Sequence, residues 1–313
     1  MKYFSDNKLK INGIRLVVSI LLLVILGYGI VGSYEEIKAS ITACKIARVN
    51  MFVPDSLHNL INVSEGKDKV DKKEFMDYIA YYKQLQKLDP TRAETYGILA
   101  FCYYWLGEYK KSEESLLKAI ELNPNFFWYY YNLGVIYFQQ GRYKDAVKMF
   151  DKSLVSSPAL SLMYIRSPQT LHRSILNTDN DFAAGIEQRL KQGRCKAELL
   201  RLAGYYYLKQ YKHTVILAQR CIALDTCADK DYCLCFLGMA LYKLGAYNKA
   251  AYFLRKSFVE NGGYAEGYDY YSRIIKRFGA VEKSAILNTK VYALKQAGKT
   301  LRNRLSVIRL HLF

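Results

Sequence analysis

The 313-residue sequence predicts an all-α fold, in which a solenoid of stacked helical hairpins follows one N-terminal transmembrane helix. Three observations support this prediction. Prolines at positions 90, 124 and 158 are separated by a constant interval, and the residues between them repeat in kind. An apolar stretch at residues 16–34 carries no charge. Hydrophobic residues make up 51% of the chain, which excludes disorder over its whole length.

The N-terminal segment has the features of a membrane anchor. Residues 16–34 are long enough, as a helix, to cross a hydrocarbon core of about 30 Å. Arg15 precedes the stretch and can extend its charge to the headgroups, and Tyr34 suits the opposite interface. From this pattern we predict a short basic tail at 1–13, a transmembrane anchor at 14–34 and a juxtamembrane helical linker at 35–71.

A cleaved signal peptide is the alternative for the same segment, with small residues at 31–33 as its cleavage site. The uncharged stretch is long for a signal peptide, so the anchor is favoured. The short basic tail favours an N-terminus inside the cytoplasm, which places the solenoid on the extracytoplasmic, periplasmic side of the inner membrane. Unpaired thiols among the seven cysteines favour the opposite topology, because free thiols suit a reducing compartment.

The residues between the prolines follow one pattern of aromatic, leucine and small residues on a first helix, and small and large apolar residues on a second. The copy before Pro158 shows them as Tyr130, Leu133, Gly134, Tyr137, Ala146 and Phe150. The copy before Pro124 shows them as Tyr96, Leu99, Ala100, Tyr103, Ser112 and Leu116. A glycine, Gly107 or Gly141, separates the two halves of each copy. This arrangement resembles the tetratricopeptide repeat, a helix–turn–helix unit that stacks into a solenoid.

The pattern returns at 231–264 and, more weakly, from residue 197 onward. A single hairpin cannot bury its apolar face alone, so stacked neighbours must form the core. We therefore predict a first repeat block at 72–160, a degenerate helical hairpin at 161–196, a second repeat block at 197–264, and a C-terminal degenerate repeat with a basic capping helix at 265–313.

The resemblance implies a concave groove, lined by the first helix of each repeat, that binds a peptide or helix of a partner protein. Carried onto this sequence, the groove residues are Ile98, Phe101, Tyr104, Trp105, Trp128, Tyr131, Asn132, Val135, Phe138, Tyr205, Phe236, Met239 and Tyr242. Asn132 matches a position at which one family branch grips C-terminal carboxylates, but Gly97 and Phe101 occupy other key places, so we expect no such clamp. The alternative is that the protein's own chain fills the groove, through residues 35–70 or the C-terminal helix.

Four cysteines, at 221, 227, 233 and 235, lie within fifteen residues. Their spacing lacks a CxxC pair, so buried small side chains are favoured over a zinc site. In an oxidising compartment, Cys221 and Cys227 are a candidate disulfide. The sequence shows no Walker loop, GxGxxG, GxSxG or HExxH motif. We therefore expect a non-enzymatic protein without metal or cofactor.

Residues 270–313 hold ten Lys and Arg residues and one acid, and the end of this stretch predicts a basic amphipathic helix. Its apolar face would carry Leu301, Leu305, Ile308 and Leu312, and its basic surface Arg302, Arg304 and Arg309. Such a helix suits a solenoid cap, an anionic lipid surface or an acidic partner. No nucleic-acid motif accompanies it, so nucleic acid is not an expected partner.

The sequence thus favours a membrane-anchored scaffold or adaptor that binds a peptide or helix of a partner in cell-envelope assembly or secretion. A receptor or co-chaperone facing the cytosol, with reversed topology, is the first alternative. A thiol or metal protein that uses the cysteines of 221–235 is the second.

Overall fold

The computed structural model describes residues 72–156, 180–223, 229–306 and 308–311. The chain divides into two compact units, of which the larger comprises residues 57–83 and 91–313. The smaller unit comprises residues 1–56 and 84–90, and only its second stretch is described. The predicted basic tail, transmembrane anchor and juxtamembrane linker lie outside the described residues. Within the described part of the chain, no helix is both long and apolar enough to span a membrane.

The described residues form twelve α-helices and no strand, which confirms the predicted all-α class. In chain order the helices are α1 (Lys72–Leu88), α2 (Ala93–Trp105), α3 (Tyr109–Leu122), α4 (Phe127–Gln139), α5 (Tyr143–Val155), α6 (Asn180–Tyr207), α7 (Tyr211–Ala223), α8 (Lys230–Lys243), α9 (Tyr247–Asn261), α10 (Ala265–Arg277), α11 (Val281–Gln296) and α12 (Leu301–Ser306).

Consecutive helices pair as hairpins: α2 with α3, α4 with α5, α6 with α7, α8 with α9, and α10 with α11. Each hairpin then stacks on the next, through contacts such as those of α3 with α4, α5 with α6, and α9 with α10. Each hairpin therefore buries its apolar face against its neighbours, as the physics of repeat proteins requires. The predicted solenoid architecture is confirmed for these helices.

Left-handed backbone at the hairpin turns ends the first helix of each pair. Gly107, Gly141 and Gly245 take φ values of +81°, +76° and +81°, which glycine adopts without steric cost. Lys209 takes the same conformation, with φ of 61°, in the turn between α6 and α7. That turn belongs to the copy that matches the sequence pattern more weakly, and it lacks the glycine of the other copies.

Small residues let the two helices of a hairpin approach closely, as the sequence pattern predicts. A Cβ atom placed on Gly134 of α4 would lie 2.6 Å from the Phe150 ring of α5. A Cβ atom on Gly238 of α8 would lie 2.6 Å from Leu254 of α9. Phe150 and Leu254 are completely buried, so neither side chain can move away. The same contact thus recurs in both repeat blocks.

Helix α6 runs unbroken from Asn180 to Tyr207, so the division predicted between residues 196 and 197 falls inside it. Two glycines of α6 allow this long helix to pack closely against α4 and α5 of the first repeat block. A Cβ atom on Gly193 would overlap the Trp128 ring of α4, and one on Gly204 would lie 2.6 Å from Val147 of α5. The helix continues through the predicted division because residues on both sides of that division, Gly193 and Gly204, pack against the first block.

The C-terminal region differs from the predicted capping helix. Helices α10 and α11 form the expected last hairpin, and Leu301 and Leu305 of α12 are buried. Helix α12 ends at Ser306, however, and residues 308–311 are not helical. The prediction of a helix through to the C-terminus is therefore wrong for residues 308–311.

Because of the close contact at Gly134, we expect alanine at this position to lower the stability of the chain. Replacing glycine by alanine inside a helix normally stabilises a protein by about 1 kcal/mol. Gly134→Ala should instead destabilise this chain by about 1–3 kcal/mol, because the methyl group overlaps the Phe150 ring in a filled core. Denaturant unfolding would measure the change, with Glu114→Ala on the exposed face of α3 as control. An increase in stability would show that the α4–α5 contact is looser than described.

Candidate functional site

The predicted groove residues lie on α2, α4, α6 and α8, but most of them are covered. Ten are buried: Ile98, Phe101, Tyr104, Trp128, Tyr131, Asn132, Val135, Phe138, Phe236 and Met239. The other three, Trp105, Tyr205 and Tyr242, are partly exposed. Neighbouring helices cover part of this surface. The C-terminal segment, defined here as residues 308–311, lies on the part formed by α4.

Asn132 of α4 holds the C-terminal segment by its backbone. The Asn132 Nδ2 atom donates to the carbonyl oxygen of His311 at 2.6 Å, and the His311 amide donates to Asn132 Oδ1 at 2.9 Å. The Asn132 side chain is therefore paired with both the N–H and the C=O of one residue, His311. These two hydrogen bonds use only the backbone, so they do not depend on the residue type at position 311.

Gln139, two helical turns further along α4, makes a third contact with the segment. Its Nε2 atom donates to the carbonyl oxygen of Ile308 at 3.1 Å, and its Oε1 atom accepts from the Tyr104 hydroxyl at 2.9 Å. Burial raises the pKa of Tyr104, so the hydroxyl keeps the proton that it donates. Helix α2 thereby orients the amide on α4 that binds the segment. The sequence did not predict Gln139, although its spacing from Asn132 places both on one face of α4.

The His311 ring is enclosed by two predicted groove residues. Its centroid lies 5.0 Å from that of Trp128 and 5.7 Å from that of Tyr131. The Lys196 ammonium of α6 lies 3.0 Å from His311 Nε2, and because an ammonium can only donate, Nε2 is the acceptor. Burial, reinforced by the nearby charges of Lys196 and Arg189, lowers the pKa of His311 to about 3, so the ring is neutral.

A cavity of about 960 Å³ lies beside the segment. Its aromatic lining comprises Tyr104, Trp105, Tyr109, Phe138, Tyr143 and Tyr207, and its cationic lining Lys72, Arg302 and Arg309. No carboxylate is among its lining residues in the described part of the chain. The Trp105 indole N–H is buried and finds no acceptor among the described residues. This surface is therefore suited to a ligand with apolar and negatively charged groups.

The predicted basic surface is divided between two environments. Arg302 and Arg309 line the cavity. Arg304 instead forms an ion pair with Asp229, at the start of α8. The sequence predicted these three arginines as the basic surface of one helix, but α12 ends at Ser306, before Arg309, so they do not form one continuous surface.

In the part of the predicted groove formed by α6 and α8, the structure brings together tyrosines that were not among the predicted groove residues. The hydroxyls of Tyr206 on α6 and Tyr270 on α10 are 2.8 Å apart, and the Tyr242 ring of α8 packs edge-on against Tyr270. Tyr205, which was predicted for the groove, stacks on His213 of α7 at 5.4 Å. The sequence thus selected Tyr205 where its neighbour Tyr206 makes the contact with α10. The repeat pattern matches weakly from residue 197 onward, which explains this error of one residue on α6.

Cys221 of α7 forms a disulfide with Cys233 of α8, with the two Cα atoms 6.5 Å apart. The candidate pairing of Cys221 with Cys227 is thus corrected, and Cys227 lies outside the described residues. Cys233 faces α7 because α8 begins at Lys230 and packs along it. Cys235 is buried near Gly267 of α10, and burial raises its pKa, which makes it a poor nucleophile. Within the described residues, no cluster of His, Cys, Asp or Glu could hold a metal ion.

Comparison with known proteins agrees with the repeat pattern. A family model described as "TPR repeat" matches residues 102–141, and one described as "Tetratricopeptide repeat" matches residues 127–158. These matches fall on the two copies that the sequence pattern defines, and the predicted resemblance is confirmed.

Two curated proteins are similar to parts of the chain. Hsp70-Hsp90 organizing protein 2 of Arabidopsis thaliana is 28% identical over 94 residues, which is 30% of this chain and 16% of that protein. Tetratricopeptide repeat protein 28 of Homo sapiens is 21% identical over 187 residues, 58% of this chain and 8% of that protein. The matched regions therefore span only small parts of these relatives.

Solved structures of repeat proteins resemble the chain at low identity. YrrB, described as a TPR protein with an unusual peptide-binding site, is 17% identical with a TM-score of 0.48, over 69% of this chain and 92% of that one. PilW, described as a type IV pilus biogenesis factor, is 14% identical with a TM-score of 0.48, over 77% of this chain and 94% of that one.

The environment of His311 predicts that acid weakens docking of the C-terminal segment. Docking lowers the pKa of His311 from its ordinary value of 6.5 to about 3. Above pH 6.5 the ring is neutral whether the segment is docked or undocked, so the free energy of docking has its most favourable value. Below pH 6.5 the ring of the undocked segment gains a proton. The docked ring stays neutral, because it is buried between Trp128 and Tyr131 and faces the charges of Lys196 and Arg189. Docking should therefore weaken by about tenfold between pH 7.5 and 5.5 and by about 100-fold between pH 7.5 and 4.5.

Tryptophan emission measures this effect, because His311 contacts Trp128 and undocking exposes that indole to water. The emission should shift to the red with acid in the unmodified chain and in His213→Gln, whose imidazole is exposed on α7. The shift should be absent in His311→Gln. A shift that persists in His311→Gln would assign the pH dependence to another group.

Proposed function

We propose that this tetratricopeptide-repeat protein is a non-catalytic adaptor whose groove binds an extended segment of a partner protein. The observation that carries the proposal is the pair of hydrogen bonds between Asn132 and the backbone at His311. A side-chain amide that pairs with the N–H and C=O of one residue can bind in the same way to any extended peptide that lies along α4. The aromatic side chains around it supply apolar contact area, which provides much of the binding energy in peptide recognition.

An extended peptide fits this site better than a helix. In a helix the backbone N–H and C=O groups are already paired within the helix, so Asn132 and Gln139 would find no backbone partners away from its ends. The segment that contacts both residues is not helical, and its carbonyl groups at 308 and 311 accept from them. We therefore narrow the ligand from a peptide or helix to an extended peptide.

The setting that we propose is cell-envelope assembly or secretion, with the chain anchored through residues 14–34 and the solenoid outside the cytoplasm. The Cys221–Cys233 disulfide supports this setting, because disulfides persist mainly in oxidising compartments. The alternative is a cytosol-facing receptor or co-chaperone with reversed topology. The partial similarity to an Hsp70-Hsp90 organizing protein favours that alternative.

Cross-linking in cells tests the groove as the partner site. A photoreactive phenylalanine analogue replaces Trp105 or Tyr242, both partly exposed on the groove face, or Tyr252 on the outer helix α9 as control. We expect adducts with a segment of another protein at Trp105 or Tyr242 and none at Tyr252. Mass spectrometry of the adduct identifies the cross-linked segment. Adducts at Tyr252 with none at the groove positions would contradict the proposal.

Thiol trapping distinguishes the two settings. Cells are quenched in acid, and the denatured chain is alkylated without reductant. The extracytoplasmic setting predicts that Cys221 and Cys233 stay unmodified while Cys235 is alkylated in the same sample, which makes Cys235 an internal control. Alkylation of all three cysteines would place the solenoid in a reducing compartment and favour the cytosol-facing alternative.

A further inference from the structure

We infer that the C-terminal segment is a built-in competitor for the groove, and that the partner displaces it with an extended acidic segment. The inference rests on the proposed function of the groove and adds its regulation and the class of its ligand. Competition follows from the atoms involved. The Asn132 oxygen accepts from the His311 N–H and its NH2 group donates to the His311 C=O, and the Gln139 NH2 group donates to the Ile308 C=O. A partner peptide that uses these groups must first remove the segment.

The segment is held by contacts that are separate from those of the helix that precedes it. Helix α12 is fixed by buried Leu301 and Leu305, and Glu266 Oε2 accepts from the Leu301 amide at 3.0 Å. Beyond it, Leu310 is the fully buried anchor, and the Asn132 and Gln139 contacts supply the hydrogen bonds. Release of residues 308–311 therefore leaves the end of the solenoid closed while it opens the face of α4. A short segment with one buried leucine is the kind of occupant that a longer peptide can displace.

The charges around the segment indicate what displaces it. His311 is a neutral acceptor for Lys196, with Arg189 close enough to lower its pKa. A carboxylate in the same place would accept a charge-assisted hydrogen bond from the Lys196 ammonium, which is stronger than the bond to an imidazole. A partner segment with Asp or Glu at the position of His311 therefore binds more tightly than residues 308–311 and displaces them.

The neighbouring cavity points to the same chemistry. Lys72 and Arg302 line it and stay in place when residues 308–311 are displaced, together with aromatic rings and without a carboxylate among its described lining residues. Positive charge thus extends from Lys196, beside His311, into the cavity. This charge favours an acidic partner segment over a basic or neutral one.

The test compares two forms of the chain, the intact protein and a form that ends at residue 306. The probe is a fluorescent peptide with the sequence of residues 306–313, and binding is read by fluorescence anisotropy. A tethered segment acts at an effective concentration of about 1 mM, so a peptide with Kd of about 10 μM should bind the intact chain about 100-fold more weakly than the shortened one. Asn132→Ala in the shortened form should reduce binding at least about tenfold.

Three outcomes separate the inference from the function on which it rests. Binding to the shortened chain with strong loss in the intact chain supports both. Equal binding to both forms leaves the groove as a peptide site and overturns the competitor. Binding to neither form overturns both.

A full-length variant guards against misfolding of the shortened form. Leu310→Asp in the intact chain removes the buried anchor, and it should raise peptide affinity towards that of the shortened chain. Lys295→Ala, on the exposed face of α11, is the matched control and should leave affinity as in the unmodified chain. Circular dichroism confirms that each variant is folded. A folded Leu310→Asp chain with unchanged affinity overturns the competitor.

Ligand class is tested with two altered peptides on the shortened chain. His311→Glu in the peptide should tighten binding at least about tenfold relative to the unaltered peptide, and His311→Lys should weaken it by a similar factor. The opposite order, or no difference between the two, overturns the assignment of an acidic partner. Loss of the difference between the Glu and Lys peptides in Lys196→Ala would locate the effect at that ammonium.

Discussion

Close approach of the two helices in each hairpin is the constraint on which the rest of the structure depends. At Gly134 and Gly238 the absence of a side chain lets Phe150 and Leu254 press against the facing helix. This contact sets the orientation of α4 relative to α5 and of α8 relative to α9, and so it sets which residues each first helix turns toward the groove. The groove chemistry described above therefore follows from a packing requirement within the hairpins.

The sequence predicted the repeat architecture because its determinants are local. A fixed interval between prolines, glycines in the turns and small residues at the seam each act within one hairpin. The groove positions on α2 and α4 followed from the same repeat. On α6, where the repeat match is weak, the selection fell on Tyr205, while Tyr206 makes the contact with Tyr270. A register that depends on long-range packing is beyond what a local pattern can give.

The C-terminal segment shows the limit of local reasoning more clearly. The spacing of Leu301, Leu305 and Ile308 suits a continuous helix, and nothing near Ser306 in the sequence ends one. The helix ends because Asn132, far away along the chain, pairs with the backbone at His311 and Leu310 finds a buried place. The disulfide partner of Cys221 was missed for a similar reason, since it depends on how α8 packs along α7. Occupation of the groove by the chain itself was weighed from the sequence, but the contacts that hold the segment came only with the fold.

In the proposed competition, a reversible contact between Asn132 and the backbone at His311 controls access to the groove. Hydrogen exchange of the His311 amide measures that contact directly, because this amide donates to Asn132 Oδ1. We expect slow exchange in the intact chain at pH 7.5, and fast exchange in Asn132→Ala or when a glutamate-bearing peptide is present in excess. Fast exchange in the unmodified chain without peptide would contradict it, because the groove would then be open to partners without displacement of the segment.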